Sequence, residues 1–206
     1  MKRFKLRDLY NFIKIILEKL MGLDFSSIIS SEEVGLDPRF FYRSSPSGGK
    51  YLFDILKRID ITEKDSIIDV GCGKGSAMRT MLKFSFGRVD GMEASEKIAE
   101  SAVNNFKKLK EGRVKIFACD ATDFDKYEEC NFFYFYNPFP CQVMLRVIEK
   151  IKLASQNLDK EIFIIYNNPI CHNVIVNNGF NIISDFPDEW GNKIYLYSNS
   201  LTSLRI

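Results

Sequence analysis

The sequence predicts an α/β fold with a largely parallel sheet, and three observations carry that prediction. From residue 66 onward, short apolar runs alternate with stretches of helical period, the pattern of successive βαβ units. Seven such runs follow one another in order. The last two have no helical stretch between them and read as an antiparallel pair.

The strand candidates are SIIDV (66–70), RVDGME (88–93), RVKIFAC (113–119), NFFYFYN (131–137), EIFIIYN (161–167), FNIISDF (180–186) and KIYLYSN (193–199). Between them, Ile98, Ala99, Ala102, Val103, Phe106 and Leu109 form one helical stripe, with Ser95 placed to cap its start. Val143, Met144, Val147, Ile148 and Ile151 form another after the turn residues Pro138 and Pro140. Ahead of the sheet, Tyr51, Leu52, Ile55, Leu56 and Ile59 mark a helix behind the turn-rich SSPSGG of 44–49. With 206 residues, 46% of them hydrophobic, the chain suits one well-buried domain spanning 1–206. Within it, 1–60 reads as an N-terminal helical segment and covering loop, and 66–199 as the core sheet.

The 29 basic and 27 acidic residues nearly cancel, which argues against a surface built to hold nucleic acid. Five cysteines (Cys72, Cys119, Cys130, Cys141, Cys171) and His172 lack the paired short spacing of a zinc site, so no metal is expected. Their apolar surroundings, odd number and the lack of a secretory h-region read as reduced, mostly buried thiols in a cytoplasmic protein. Near the N-terminus, Leu6, Leu9, Ile13, Ile16, Leu17, Leu20 and Met21 recur at helical spacing, and Lys2, Arg3, Lys5, Arg7, Lys14 and Lys19 outnumber Asp8 and Glu18. Such a helix can lie on an anionic membrane surface. The preferred expectation is that its stripe packs on the domain's own sheet or on a dimer partner.

The chemistry is concentrated at the carboxyl ends of the first three strands. IIDVGCGKG (67–75) puts Asp69 at the end of a buried strand and then Gly71, Gly73 and Gly75 before a helix expected to begin near Ser76. Glycines there let the backbone turn tightly and approach a ligand. A dinucleotide dehydrogenase requires G-x-G-x-x-G, whereas here the third glycine comes one residue early. Asp69 also argues against a pyrophosphate, and suits the ammonium group of a sulfonium amino acid. Glu93 lies 18 residues after Gly75, where a carboxylate can accept both hydroxyl protons of a ribose. Asp120 after the third strand can accept from an adenine amine, with the Ala121 N–H available to a ring nitrogen.

At these residues the sequence resembles the class I S-adenosylmethionine-dependent methyltransferase superfamily, over roughly residues 66–199. The resemblance implies a Rossmann-like, seven-stranded, mostly parallel sheet with an antiparallel last strand, helices on both faces, and S-adenosylmethionine across its carboxyl edge. It implies that Asp69, Gly71 and Gly73 hold the methionine part, Glu93 the ribose and Asp120 the adenine.

After the fourth strand, YNPFP (136–140) is similar to the (D/N/S)PP(Y/F) motif of methyltransferases that modify amide or exocyclic amino nitrogens. There the polar side chain and a following carbonyl grip the target amine so that its lone pair lies along the S–CH₃ axis. Asn137 is therefore the candidate catalytic residue, although Phe139 departs from the motif at its second proline. Tyr166 and Asn167 end the fifth strand, where they can line an acceptor pocket. His172 sits near the same edge and reads as a loop or helix-start histidine in preference to a base. In DPRFFYRSSPSGG (37–49), Tyr42 is the candidate for contacting the cofactor, in a segment expected to fold over it. The competing readings are a non-catalytic S-adenosylmethionine-binding module and, less favoured, an NAD-dependent oxidoreductase. The acceptor, a small molecule, sugar or protein side chain, is not legible in the sequence.

Overall fold

Seven strands hydrogen-bond into one sheet in the order β3-β2-β1-β4-β5-β7-β6. They are β1 (Ser66–Val70), β2 (Arg88–Glu93), β3 (Val114–Ala118), β4 (Phe132–Tyr136), β5 (Phe163–Asn167), β6 (Asn181–Pro187) and β7 (Lys193–Ser198). The first five run parallel, while β7 is antiparallel to both β5 and β6. This computed structural model describes residues 6–30, 32–35, 37, 39, 44–156, 160–188 and 191–200. The helices are α1 (Leu6–Leu20), α2 (Gly49–Leu56), α3 (Met78–Met81), α4 (Glu96–Lys108), α5 (Cys141–Gln156) and α6 (His172–Asn177).

Strand side chains alternate between two apolar layers, because successive residues of a strand point to opposite faces. Ile68, Val70, Phe133, Phe135 and Ile164 pack with Met144, Val147, Ile148 and Ile151 of α5 and Ile175 of α6. Ile67, Phe132, Tyr134, Phe163 and Ile165 face the other way, against Leu52, Ile55 and Leu56 of α2 and Phe106 of α4. Both strand faces are covered, which is why β1, β4 and β5 read as continuous apolar runs and not as alternating ones. The carboxyl ends of β1, β2, β3 and β4 consequently share one edge.

Ser95 caps α4 as the sequence predicts, its Oγ accepting from the Ile98 N–H at 3.4 Å. Three features differ from or add to the expectations. The helix after the glycine loop is a single turn, Met78–Met81, because the chain spends 72–77 in turns and must enter β2 at Arg88. Cys141 and Cys171 are joined as a disulfide, in place of two reduced thiols; α5 begins at one and α6 follows the other, with Cα atoms 5.3 Å apart. Cys72 and Cys130 are buried thiols, and Cys119 is partly so.

The third concerns α1, for which packing on the domain's own sheet is one of the two expectations. Its apolar stripe is not covered by the sheet: Leu9, Phe12, Ile13, Ile16, Leu17 and Leu20 are 41% to 79% exposed. The opposite edge faces the protein, where buried Glu18 accepts from the Phe25 N–H (3.1 Å) and Ser26 Oγ (2.9 Å) and pairs with Arg79 (3.2 Å). A buried carboxylate stripped of its donors is costly to keep, so these three contacts tie the Glu18 side of the helix to the protein. The side chain of Leu6 lies outside the described residues. No described helix is long and apolar enough to cross a membrane.

Candidate functional site

The site begins where β1 ends. Gly71, Gly73 and Gly75 all have positive φ (81°, 54° and 87°), a conformation that strains any side chain. The turn is also packed closely on its outer side: a Cβ on Gly71 would meet Pro138 Cβ at 2.7 Å. Gly71 and Cys72 donate their N–H groups to the Met92 carbonyl (2.9 and 2.8 Å), which binds the loop to the end of β2.

Glu93 completes that attachment. Its Oε2 accepts from the Gly73 N–H and its Oε1 from the Ser95 N–H, each at 3.0 Å. Each oxygen keeps a further lone pair, the capacity a pair of ribose hydroxyls needs. Burial pushes its carboxyl upward, and the backbone donors partly offset this. Behind the loop Asp69 is only 2% exposed, and its carboxyl is pushed up to about 8 by burial and then by the Glu93 charge. The Glu93 charge thus opposes ionisation of the acid behind the loop, and positive charge placed near them would ease it.

A cleft of about 1240 Å³ opens over this edge. It brings together Gly71, Glu93, Asp120, Ala121 and Asn137, and it does not bring Asp69 or Gly73 to its wall. Asp120 Oδ1 accepts from the Thr122 N–H and from Thr122 Oγ1, both at 2.7 Å, fixing the turn after β3. Small-molecule pockets typically measure about 300 to 1,000 Å³, so this cleft has room for a cofactor and a second molecule.

Asn137 follows β4 in a left-handed conformation (φ 41°), and its Oδ1 accepts from the Tyr166 hydroxyl at 3.2 Å. That hydroxyl in turn accepts from the Cys171 N–H at 3.4 Å. Phe139, where the motif departs, is buried and packs edge-on to Phe135 at 6.3 Å between centroids. Asn167 and Asn168 also line the cleft, whereas Tyr166 is wholly buried. His172 does not line it; its Nδ1 lies 3.0 Å from the Tyr197 hydroxyl, between the rings of Tyr195 and Tyr197. Tyr42 lies outside the described residues, while its neighbours Ser44 to Gly49 line the cleft.

Sequence reasoning missed how the N-terminal segment reaches the loop. Lys74, buried within the glycine run, turns away from the cleft to pair with Asp24 at 2.6 Å and to donate to Ser27 Oγ. Asn105 of α4 donates to both the Asp24 and Lys74 carbonyls (3.0 and 3.1 Å). The only signal was a lysine inside an otherwise apolar loop, which must find a partner if buried.

Residues 67–152 match the family model of a methyltransferase domain. No curated protein matches the chain. Among solved structures it is similar to an S-adenosylmethionine-dependent methyltransferase of Aquifex aeolicus, with 13% identity, a TM-score of 0.57, and coverage of 71% of this chain and 88% of that one. It is also similar to the mitomycin 7-O-methyltransferase MmcR (14% identity, TM-score 0.56, covering 71% of this chain and 52% of that one). A third is phosphoethanolamine N-methyltransferase 2 of Haemonchus contortus, solved with S-adenosyl-L-methionine (18% identity, TM-score 0.55, covering 69% of this chain and 39% of that one). Residues 67–152 are thus similar to a methyltransferase domain, and the fold is the one these S-adenosylmethionine-dependent methyltransferases share. One neighbour is an O-methyltransferase and another an N-methyltransferase, so the fold does not select the acceptor atom.

Proposed function

We propose that the chain is an S-adenosylmethionine-dependent methyltransferase whose acceptor is a nucleophile, in the first instance a nitrogen, held beside Asn137. The observation that supports this is the gathering of Glu93, Asp120, Ala121 and Asn137 on one cleft at the carboxyl edge of the sheet. The donor set suits the cofactor: Glu93 retains acceptor capacity for two hydroxyls, and Asp69, buried behind the loop, would favour a bound ammonium or sulfonium through its charge and not by contact. When bound, S-adenosylmethionine supplies a methyl group on a positively charged sulfur.

The chain's own residues supply alignment. Asn137 Oδ1 has one lone pair engaged by Tyr166 and another available to an acceptor N–H. Holding that hydrogen aims the nitrogen lone pair, and such positioning is a major source of rate in an in-line displacement. The methyl group would pass from the bound sulfonium to the nitrogen so held, leaving the thioether, and the acceptor's proton would pass to solvent or a nearby oxygen. The test is incubation with methyl-labelled S-adenosylmethionine and fractionated small-molecule, glycan and protein pools. Label enters one pool with the wild-type chain and is at background with Asn137→Ala; no transfer to any pool, with the cofactor bound in calorimetry, refutes the enzymatic reading.

A further inference from the structure

We propose that α1 docks the protein on an anionic lipid surface through the face it turns to solvent. This does not rest on the methyl-transfer reading. The helix is reversed with respect to an ordinary surface helix, which hides its apolar stripe and shows its charges. Here Glu18, on the polar side, is buried against the Phe25 N–H, the Ser26 hydroxyl and Arg79, whereas Leu9, Phe12, Ile13, Ile16, Leu17 and Leu20 are exposed.

Charge selects the partner. Residues 1–21 carry six basic and two acidic side chains, and one of those acids, Glu18, is already consumed inside the protein. The C-terminal end of α4 extends the same character, since Lys108 Nζ donates to the Gly22 carbonyl at the end of α1. That contact brings exposed Lys108 to the turn that follows exposed Met21, and its chain neighbours Lys107 and Lys110 are exposed and Leu109 half-exposed. An exposed apolar face bordered by lysines matches the boundary between acyl chains and anionic headgroups.

A second copy of the chain fits less well. A 15-residue helix is about 22 Å long and about 10 Å wide, which offers a few hundred Å² against the roughly 800 Å² per partner of a stable interface. Two facing copies would also bring their basic residues together. Asn11 and Lys14, on the protein-facing side of the helix, line the cleft. Docking therefore places α1 between the lipid and that wall of the cleft.

The experiment is co-sedimentation of the full chain with vesicles of phosphatidylcholine alone or of phosphatidylcholine with phosphatidylserine. The wild-type protein should sediment with the anionic vesicles and stay in solution with the neutral ones, and added salt should weaken binding. The double variant Phe12→Asp/Leu20→Asp should lower partitioning by about tenfold or more with an unchanged melting temperature, since both side chains are exposed. Three results would overturn the proposal: no sedimentation with anionic vesicles, equal sedimentation with neutral ones, or a lipid-free dimer that the same double variant dissolves.

Discussion

The Tyr166 hydroxyl donates to Asn137 Oδ1 at 3.2 Å, so the residue proposed to orient the acceptor is itself oriented by the neighbouring strand. Asn137→Ala should lower turnover by at least about tenfold while leaving the cofactor dissociation constant nearly unchanged, because the lost contact belongs to the transition state. Tyr166→Phe should give a smaller loss of the same kind. Turnover, calorimetric affinity and melting temperature measured on both variants check this. A melting temperature that falls while turnover per folded molecule holds would reduce Asn137 to the end of a strand.

Glu93→Ala should weaken S-adenosylmethionine binding by about tenfold or more, since charged hydrogen bonds are worth roughly 1.5 to 3 kcal/mol. The structure adds a second effect. The same carboxylate holds the Gly73 and Ser95 N–H groups, so the variant should also melt earlier. Glu93→Gln keeps one acceptor oxygen and should recover part of both losses, read by calorimetry and thermal unfolding.

Asp69 gives the ligand-free protein an unusual pH dependence. Its folded carboxyl is raised from 3.8 to about 8, so the folded state keeps a proton that the unfolded chain has released across that window. The associated stability is fully present below 3.8 and is lost as pH rises through about 8. Melting temperature against pH should fall more steeply for wild type than for Asp69→Asn. Bound S-adenosylmethionine, which brings positive charge, should displace that proton. Calorimetry in buffers of different ionisation heat should then register proton release below about 8 with wild type and less with Asp69→Asn.

Removing the bridge between Cys141 and Cys171 tests the loops that flank Asn137. The residues are 30 apart in sequence, for which chain entropy alone assigns roughly 3 to 4 kcal/mol. The Cys141→Ser/Cys171→Ser variant should melt earlier by several degrees, and turnover should fall more than S-adenosylmethionine affinity, because α5 follows Asn137 while Glu93 and Asp120 lie on other strands. Equal melting with and without reductant for the wild-type protein would show that the bridge contributes nothing to stability.

The sheet was legible because its strands announce themselves by local apolar runs, and all seven lie within two residues of their predicted starts. Glu93, Asp120, Ala121 and Asn137 converge because a parallel sheet brings the ends of its strands to one edge, a consequence of topology that the pattern already contains. What escaped depends on partners far away in the chain. The Glu18 side of α1 is tied to the protein in part by Arg79, and periodicity says which stripe is apolar without saying what covers it. Lys74 and Asp24 are fifty residues apart, and Cys141 and Cys171 thirty; neither pairing leaves a short-range mark. The helix after the glycine loop was legible in its start, expected near Ser76 and found at Met78, but not in its one-turn length.

The order of the strands has a consequence for how the molecule is made. β7, which follows the six other described strands in the chain, occupies an interior place, and β6 hydrogen-bonds to the sheet only through it. During synthesis the outer edge of β5, with Phe163, Ile164 and Ile165 in its apolar run, therefore has no hydrogen-bonded neighbour until residues 193–198 emerge. An unpaired apolar edge is a template for association with another chain. Ribosome-bound chains truncated before residue 193 should thus be the form most in need of a chaperone, and the final hairpin is the step that seals the fold.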